Sequence, residues 1–353
     1  MKPKTINDID TPAVIIDIDR ALANIARAQQ FANSHGIKLR PHIKTHKLPF
    51  FAEKQIKAGA VGVTCQKIGE AEVMADAGIK NIFITYNILG HEKLNRLLAL
   101  HKRVTLSVVT DNQRVHAGLA EKFTDSTHPL SVLVECDTGM GRCGVQNPAE
   151  ALALAQEISS RSGLRFGGLM TYPKSGKANE AEQWLRFAKE ALLQAGLVCE
   201  TISSGGTPDI WQPFKNSCIT EYRPGTYIYL DRFQVAQGVG RVHDCALHVL
   251  TTIVSHPTRT RAIIDAGSKA LSSDTLGMDG FGEVIGFPNV VITGLNEEHG
   301  ILATADTPLG VGDRLRILPN HACVVSNLFD DVYLVSGETV IERLRVAARG
   351  RVV

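Results

Sequence analysis

The amino-acid sequence predicts an α/β protein in which a (β/α)8 barrel of the TIM type precedes an all-β domain. β-rich runs recur about every 20–30 residues, with segments of helical apolar spacing between them, and this pattern changes near residue 243. The apolar runs of the first part are mostly unbroken, which is typical of parallel strands buried on both faces. We therefore predict a barrel over residues 12–242 and a β domain over 243–353, with which residues 1–11 can pack.

Eight runs rich in β-branched and aromatic residues are the predicted barrel strands. They lie at residues 13–17, 38–43, 60–65, 82–86, 104–109, 132–136, 165–171 and 200–205. Apolar residues recur at helical spacing in the intervening segments 18–34, 69–77, 148–160 and 179–195. Eight alternations fit a closed barrel better than an open doubly wound sheet, and the first strand could join either domain.

The sequence after Val242 has almost no long helical pattern. Its apolar runs are short and are separated by Gly, Pro and Asp, in the order HVLTTIVSH, RAIIDAG, VVITGL, RLRIL, CVVS and DVYLV. Short strands with turn residues between them are typical of an all-β domain.

Composition narrows the function classes. The 353 residues carry a formal net charge of +2, with 44% hydrophobic and 21% charged residues. The absence of a basic excess argues against nucleic-acid binding. No apolar stretch reaches the roughly 18 residues of a membrane span, and the first residues are too polar for a signal peptide. The seven cysteines form no CxxC pair. We therefore expect a cytoplasmic protein whose thiols are buried or ligate metal.

The segment 40–47, RPHIKTHK, concentrates basic and titratable side chains at the end of the second predicted strand. Barrel enzymes keep their reactive groups at this edge. Strand alternation would place Arg40, His42 and Lys44 on one face. A lysine half-buried beside other cations can act as a nucleophilic amine. His42 and Lys44 are therefore candidate catalytic residues, and a solvated basic loop is the alternative.

Polar side chains end other predicted strands too, which favours an active site at that rim of the barrel. Tyr172 is a further candidate catalytic residue. The segment 139–144 matches GxGxxG, the spacing of a dinucleotide-binding loop. We exclude that site, because the next helix is predicted to begin only near Pro148, with Glu150 in capping-box position. No acid follows at the distance needed to hold a ribose. Arg142 remains a candidate site residue.

Two glycine-rich loops follow the eighth predicted strand, where barrels commonly bind phosphate. Glycines let backbone N–H groups close around an anion, and hydroxyl side chains complete the contacts. An ordinary turn is the alternative for either loop alone, but two loops at this location favour a phosphate site. The candidate binding residues are Ser204, Gly205, Gly206, Thr207, Gly225, Thr226 and Tyr227.

His321 and Cys323 lie two residues apart in the predicted β domain. On an extended chain their side chains would point the same way, and imidazole with thiolate suits zinc. Taken alone, however, this spacing favours a buried cysteine beside a surface histidine.

Eight motifs between Arg40 and Cys323 resemble, in the same order, those of the D-threonine aldolase and D-serine dehydratase family of pyridoxal-phosphate enzymes, and the match runs nearly end to end, from Thr11 to Gly350. They are RPHIKTHK, CQKIGEAEVM, DTGMGRCGV, SSGGTPD, RPGTYIYLD, DAGSKALSSD, EEHG and PNHAC. The fold of that family, fold type III, is similar to alanine racemase. The resemblance implies a barrel followed by a β domain, with pyridoxal 5'-phosphate as cofactor. It also implies a divalent metal, zinc being favoured and manganese or magnesium the alternatives.

The resemblance also assigns roles by position. Lys44 corresponds to the family's Schiff-base lysine, and the glycines at 205, 206 and 225 correspond to its phosphate loops. His321 and Cys323 correspond to the metal pair, which reverses the interpretation drawn from their spacing alone.

The motifs are mixed between the two chemistries of the family. CQKIGEAEV, GRCGV and the C-terminal ARG look more like the aldolases. The metal pair resembles that of the dehydratases, because the aldolases pair His with Asp. The aldolases also carry a His directly after the Tyr, as a base for the β-hydroxyl, where this chain has Pro173. Dehydration instead needs a Lewis acid on that hydroxyl and a base at Cα, which zinc and Lys44 would supply.

We therefore predict a lyase that eliminates water and ammonia from a D-3-hydroxy amino acid and forms a 2-keto acid, as D-serine dehydratases do. The alternative is aldolase-like cleavage to glycine and an aldehyde. A racemase or a pyridoxal-phosphate carrier is a further alternative. The metal pair argues against a racemase, which needs no metal. The predicted β domain argues against a carrier, which would consist of a single barrel domain. We expect a small-molecule substrate, no nucleic-acid or membrane partner, and a homodimer.

Overall fold

The computed structural model describes residues 3–212, 217–305 and 307–353. Packing divides the chain into two compact units. The first, here the β unit, holds the described residues of Met1–Arg27, Thr45–Leu48 and Thr226–Gly350. The second, the barrel unit, holds those of Ala28–Lys44, Pro49–Gly225 and Arg351–Val353. The domain boundary between residues 242 and 243 stays a prediction; the chain enters its longest segment of the β unit after Gly225 and returns to the barrel unit after Gly350.

Strands and helices alternate through the barrel unit and give way to strands afterwards. The strands are β1 Ala13–Asp17, β2 Lys38–Leu39, β3 Val63–Cys65, β4 Asn81–Ile84, β5 Thr105–Thr110, β6 Leu130–Cys136, β7 Leu164–Thr171, β8 Thr201–Ser204, β9 Glu221–Tyr222, β10 Leu247–Thr258, β11 Arg261–Ile264, β12 Glu283–Val284, β13 Val291–Leu295, β14 Gly300–Ala303, β15 Arg314–Leu318, β16 Asp331–Ser336 and β17 Thr339–Arg345. The helices are α1 Ile18–Ser34, α2 Pro49–Ala58, α3 Ile68–Asp76, α4 His91–His101, α5 Gln113–Lys122, α6 Pro148–Ser159, α7 Ala178–Gln194, α8 Arg232–Ala236, α9 Ser268–Leu271 and α10 Ala322–Leu328.

The sheet of the barrel unit has eight parallel strands in the order β2-β9-β8-β7-β6-β5-β4-β3. Its two outer strands are also joined. The Val61 N–H donates to the Leu39 carbonyl (2.9 Å) and the Thr64 N–H to the Pro41 carbonyl (2.8 Å). The sheet therefore closes on itself, and the predicted barrel is confirmed. Every residue of β6 is buried, as expected for a parallel strand covered on both faces.

The sequence left the first predicted strand open to either domain, and the structure places it in the β unit. Strand β1 pairs with β10 and β16 and so belongs to the β unit. The eighth strand of the barrel is β9, which pairs with β8 and β2. This strand has only two residues, too few for periodicity to reveal, whereas β1 is an apolar run that could enter either sheet.

The β unit is built on a nine-stranded sheet in the order β11-β14-β13-β12-β15-β10-β1-β16-β17, with a further pairing of β10 to β11. All its pairs are antiparallel except β1 with β16. The N-terminal segment packs here: Thr5 bridges to Thr339, while Met1 and Lys2 lie outside the described residues. One apolar cluster comprises Ile6, Ile9, Ala13, Ile15, Leu250 and Val335.

The prediction of a strand over CVVS is wrong, because these residues lie in helix α10. Helix predictions elsewhere are confirmed within one residue of each end. Helix α6 begins at Pro148, and the Asn147 side chain accepts the Glu150 N–H at 3.0 Å. No helix of the described ranges combines the length and hydropathy needed to cross a membrane.

Candidate active site

Lys44 lies in a 3-10 turn, Ile43–Thr45, that follows β2. The expected alternation over residues 40–44 is wrong, because β2 ends at Leu39 and the chain then turns. His42 is buried, and its Nδ1 accepts the Lys44 N–H at 3.3 Å. The other ring nitrogen of His42 lies 3.1 Å from Gln66 Oε1. His42 therefore holds the backbone that carries Lys44.

Three of the predicted site residues lie close to the ring of Tyr172 within the barrel unit. The Lys44 ammonium lies 5.9 Å from the ring centroid, and the Arg142 guanidinium carbon lies 5.0 Å from it. A Cβ added to Gly206 would lie only 2.8 Å from Cε2 of the same ring. The predicted amine, the predicted cation and the first glycine loop thus meet at one aromatic side chain.

The first glycine loop runs from the buried Ser204 into a 3-10 turn, Thr207–Asp209. Gly205 has φ +98°, and a Cβ there would overlap the ring of Tyr222, so both conformation and space require glycine. The Tyr222 hydroxyl donates to the Gly206 carbonyl at 3.0 Å. A loop without side-chain bulk, fixed by a buried tyrosine, fits the approach of a phosphate group.

Replacing Gly206 by valine is expected to crowd the Tyr172 ring and, at this predicted phosphate loop, to weaken binding of the pyridoxal phosphate that the motifs imply by about tenfold or more. The measurement is the cofactor concentration at which the visible absorbance reaches half of its maximum, in the variant and in the unmodified protein. Gly310→Val is the matched control, because a Cβ at Gly310 meets nothing closer than 3.7 Å. Equal cofactor affinity in both variants would place the phosphate away from this loop.

A buried charged network inside the barrel was not anticipated from the sequence. Arg223 donates to Ser203 Oγ (2.6 Å) and to the Thr171 carbonyl (2.7 Å). Glu221 accepts from Arg40 Nε (2.6 Å) and from Ser203 Oγ (2.5 Å). Burial lowers the pKa of Arg223 to about 10, and this side chain remains a cation at neutral pH. The only sequence signal was the pair of charged residues, Glu221 and Arg223, on either side of Tyr222.

Arg142 faces a second buried acid, Glu135, with Nη2 4.0 Å from Oε1. The Glu135 side chain is 5% exposed, and burial raises its pKa to about 7. Arg142 opposes that rise, whereas the nearby Asp111 and Asp137 add to it. Glu135 lies inside the apolar run of β6 and not after the strand end, so the pattern of polar strand ends does not include it.

The raised pKa of Glu135 predicts a loss of stability as pH rises. Between its ordinary pKa of 4.5 and the folded value of about 7, the folded chain keeps a proton that the unfolded chain releases. The free energy of unfolding therefore falls across this window, by about 3 kcal/mol at most. In Glu135→Gln the denaturation midpoint should depend less on pH between 5 and 8. The exposed Glu200→Gln is the control, and equal pH dependence in all three proteins would contradict the prediction.

In the β unit, His321 immediately precedes α10 and Cys323 is its second residue. His321 Nδ1 lies 2.6 Å from Asp274 Oδ2. Cys323 Sγ lies 3.1 Å from Thr45 Oγ1 and 3.3 Å from Thr226 Oγ1. The two predicted ligands thus meet at a helix start rather than along an extended strand.

The residues of the second glycine loop, Gly225 to Tyr227, belong to different units of the structure. Gly225 is the last residue of its barrel-unit segment, and Thr226 opens a segment of the β unit. Thr226, predicted to bind phosphate, contacts the Cys323 thiol, and Tyr227 is a buried residue of the following 3-10 turn. Gly225 keeps its assignment to the phosphate loops as a prediction.

The electrostatics of His321 and Cys323 fit a metal. Burial alone would raise the pKa of the Cys323 thiol, but its contacts with His321, Thr226 and Thr45 lower it overall. Burial likewise lowers the pKa of His321, but Cys323 and Asp274 raise it to about 9. A thiolate and an imidazole are the donors that zinc prefers. No three His, Cys, Asp or Glu side chains of the described ranges converge on one point.

Comparisons with known proteins identify the family of this chain. The sequence model of the alanine racemase N-terminal domain matches residues 16–232, and a model named for a serine dehydratase domain matches residues 246–335. The D-threonine aldolase of Arthrobacter sp is 32% identical over 97% of this chain and 93% of its own length. The D-threo-3-hydroxyaspartate dehydratase of Delftia sp. is 35% identical over 92% of this chain and 94% of its own.

Solved structures give the same result. The D-threonine aldolase from Filomicrobium marinum superposes with a TM-score of 0.92 at 32% identity, covering 99% of this chain and 98% of that one. The Delftia dehydratase superposes with a TM-score of 0.89 at 33% identity, covering 97% and 99%. One cysteine-to-alanine variant of that dehydratase is described as metal-free.

The barrel, with an amine, a guanidinium and a glycine loop around one tyrosine ring, defines an enzyme of the alanine racemase N-terminal domain class. The chain belongs to that family. More particularly, it is a member whose full-length relatives are lyases, an aldolase and a dehydratase, and whose β unit matches the serine dehydratase domain.

Proposed function

We propose that this lyase uses pyridoxal 5'-phosphate and a divalent metal, zinc in the first instance, to dehydrate a D-3-hydroxy amino acid. Its product would be a 2-keto acid with release of ammonia. The observation that carries the cofactor proposal is the meeting of Lys44, Arg142 and Gly206 at the Tyr172 ring.

Three groups would hold the cofactor. The Lys44 amine lies 5.9 Å from the centroid of the Tyr172 ring, and it is the proposed covalent anchor. The loop from Ser204 to Thr207 would take the phosphate. Bound pyridoxal phosphate would supply an electron sink that stabilises negative charge at the substrate Cα.

The residues of the chain then have separate tasks. Lys44 Nζ would accept the Cα proton, and His42 would hold the backbone of Lys44 in place. Arg142 and the Tyr172 ring would fix the orientation of the reacting groups. His321 and Cys323 would bind the metal, which supplies a Lewis acid for the leaving β-hydroxyl.

The balance of the reaction follows from these tasks. The Cα–H and Cβ–O bonds break, and the proton and the hydroxyl leave together as water. The resulting enamine takes up one water and releases ammonia, which leaves the 2-keto acid. No external oxidant or reductant enters the reaction.

Two observations support dehydration over aldol cleavage. The residue after Tyr172 is Pro173, which cannot take the β-hydroxyl proton that retro-aldol cleavage must remove. The metal pair is His with Cys, the pair that the sequence shares with dehydratases. Aldolase relatives of 32% identity keep the aldolase as the second candidate.

The decisive test is product analysis. The protein, loaded with pyridoxal phosphate and zinc, is incubated with D-serine, D-threonine and D-threo-3-hydroxyaspartate, with the L-enantiomers as controls. We expect a 2-keto acid and ammonia in equal amounts from at least one D-substrate. Release of glycine and an aldehyde, with no keto acid from any substrate, would overturn the dehydratase proposal in favour of the aldolase.

A further inference from the structure

We propose that Asp274 is a positioning residue of the metal site, holding the His321 imidazole so that Nε2 is the nitrogen presented to the metal. This inference rests on the proposed function, in which His321 and Cys323 bind that metal. The observation behind it is a 2.6 Å contact between Asp274 Oδ2 and His321 Nδ1, two residues that are 47 positions apart in sequence.

Hydrogen bonds within its own turn also hold Asp274 in place. Its second oxygen, Oδ1, accepts the Leu276 N–H at 3.2 Å, and its own N–H donates to Ser272 Oγ at 3.0 Å. One oxygen therefore stays with the local turn while the other faces His321. A side chain held at both ends loses little further freedom when it orients a partner.

The chemistry of a metal-bound histidine gives this contact its meaning. An imidazole can ligate through one nitrogen while the other donates its proton to a carboxylate, and that partner sets the tautomer and raises the basicity of the ligand. With Nδ1 engaged by Asp274, Nε2 is the nitrogen left to offer its lone pair to a metal. An acidic side chain is the partner expected for a histidine with this task.

The backbone between the two ligands is anchored independently. Asp231, a buried residue, accepts the Ala322 N–H through Oδ2 at 2.9 Å and the Gln234 N–H through Oδ1 at 2.9 Å. The main chain of the pair is thus held by one carboxylate and the imidazole by another. Asp274 has the ligand side chain as its partner, so its removal should affect metal affinity more than folding.

The test is a zinc titration that does not depend on turnover. Pyridoxal-phosphate-loaded protein is stripped of metal, and its zinc affinity is measured by competition with a chromophoric chelator. We expect Asp274→Ala to lower zinc affinity about 10- to 100-fold. Asp274→Asn should lose less, because an amide oxygen still accepts from Nδ1 but carries no charge. Asp331→Ala is the matched control, since Asp331 is a half-buried carboxylate paired with Arg343 at 2.7 Å in the same unit.

The outcomes separate this inference from the proposed function. If His321→Ala abolishes zinc binding and both Asp274 variants bind like the unmodified protein, Asp274 has only a structural role and the inference is wrong. Complete loss in Asp274→Ala, equal to His321→Ala, would make Asp274 a ligand and also overturn it. If His321→Ala binds zinc normally, the proposed metal site itself fails. Should the alanine variant not fold, the asparagine variant decides.

Discussion

Replacing Lys44 by alanine is expected to abolish turnover and the visible absorbance of bound pyridoxal phosphate. The amine would both anchor the cofactor and move the Cα proton, so the loss should exceed the roughly 10²–10⁴-fold contribution of a general base alone. The measurements are kcat for keto-acid formation, the absorbance spectrum, and the fraction of cofactor fixed to protein by borohydride.

Lys44→Arg is the matched variant for that experiment, because it keeps the positive charge near Tyr172 but offers no nucleophilic amine. We expect it to be as inactive as the alanine variant. Cofactor still fixed by borohydride in Lys44→Ala would identify another anchor. Lys47 is the first residue to check, although its ammonium group lies 3.5 Å from the Ala348 carbonyl in the β unit.

Removal of the metal is expected to stop turnover while leaving the cofactor absorbance in place. A strong chelator should have this effect because the proposed cofactor contacts, at Lys44 and the loop around Gly206, involve no metal ligand. Adding zinc back should restore activity. Simultaneous loss of absorbance and activity would show that the metal holds the cofactor as well.

Cys323→Asp tests the identity of the metal. The change exchanges a soft thiolate for a hard carboxylate and should shift preference from zinc towards manganese or magnesium. Keto-acid formation with zinc should fall sharply, and aldolase activity should not appear, since Pro173 still follows Tyr172. Cys143→Asp is the control, because Cys143 is an exposed thiol of the other unit. Equal zinc-supported activity in both variants would exclude Cys323 as a ligand.

The sequence predicted the architecture well wherever an element was long and periodic. Helix α1 spans Ile18–Ser34 as predicted, and the Asn147 cap located the start of α6. Lys44, Arg142 and Gly206, found as separate motifs, do meet at Tyr172. Motifs at the ends of parallel strands were sufficient for this, because such ends share one rim of a barrel.

The remainder escaped prediction for physical reasons. Arg223 and Glu135 are charged residues that tertiary partners make tolerable inside a barrel, and no local pattern announces such partners. Asp274 is 47 residues from the imidazole it contacts. Short elements were also missed. Strand β9 has only two residues, and the apolar, β-branched run CVVS lies in helix α10, where Asp231 accepts the Ala322 N–H.

The position of β1 between β10 and β16 has a consequence for biosynthesis. Ile15 pairs with His248, about 230 residues later in the chain, and with Tyr333, later still. The ribosome therefore delivers this strand long before either neighbour exists, whereas most barrel strands pair with the strand made just before them. We expect the barrel unit to form during translation while both edges of β1 still lack hydrogen-bond partners. Unpaired strand edges promote aggregation. A chain that stopped before β16 would leave one edge of β1 permanently unpaired.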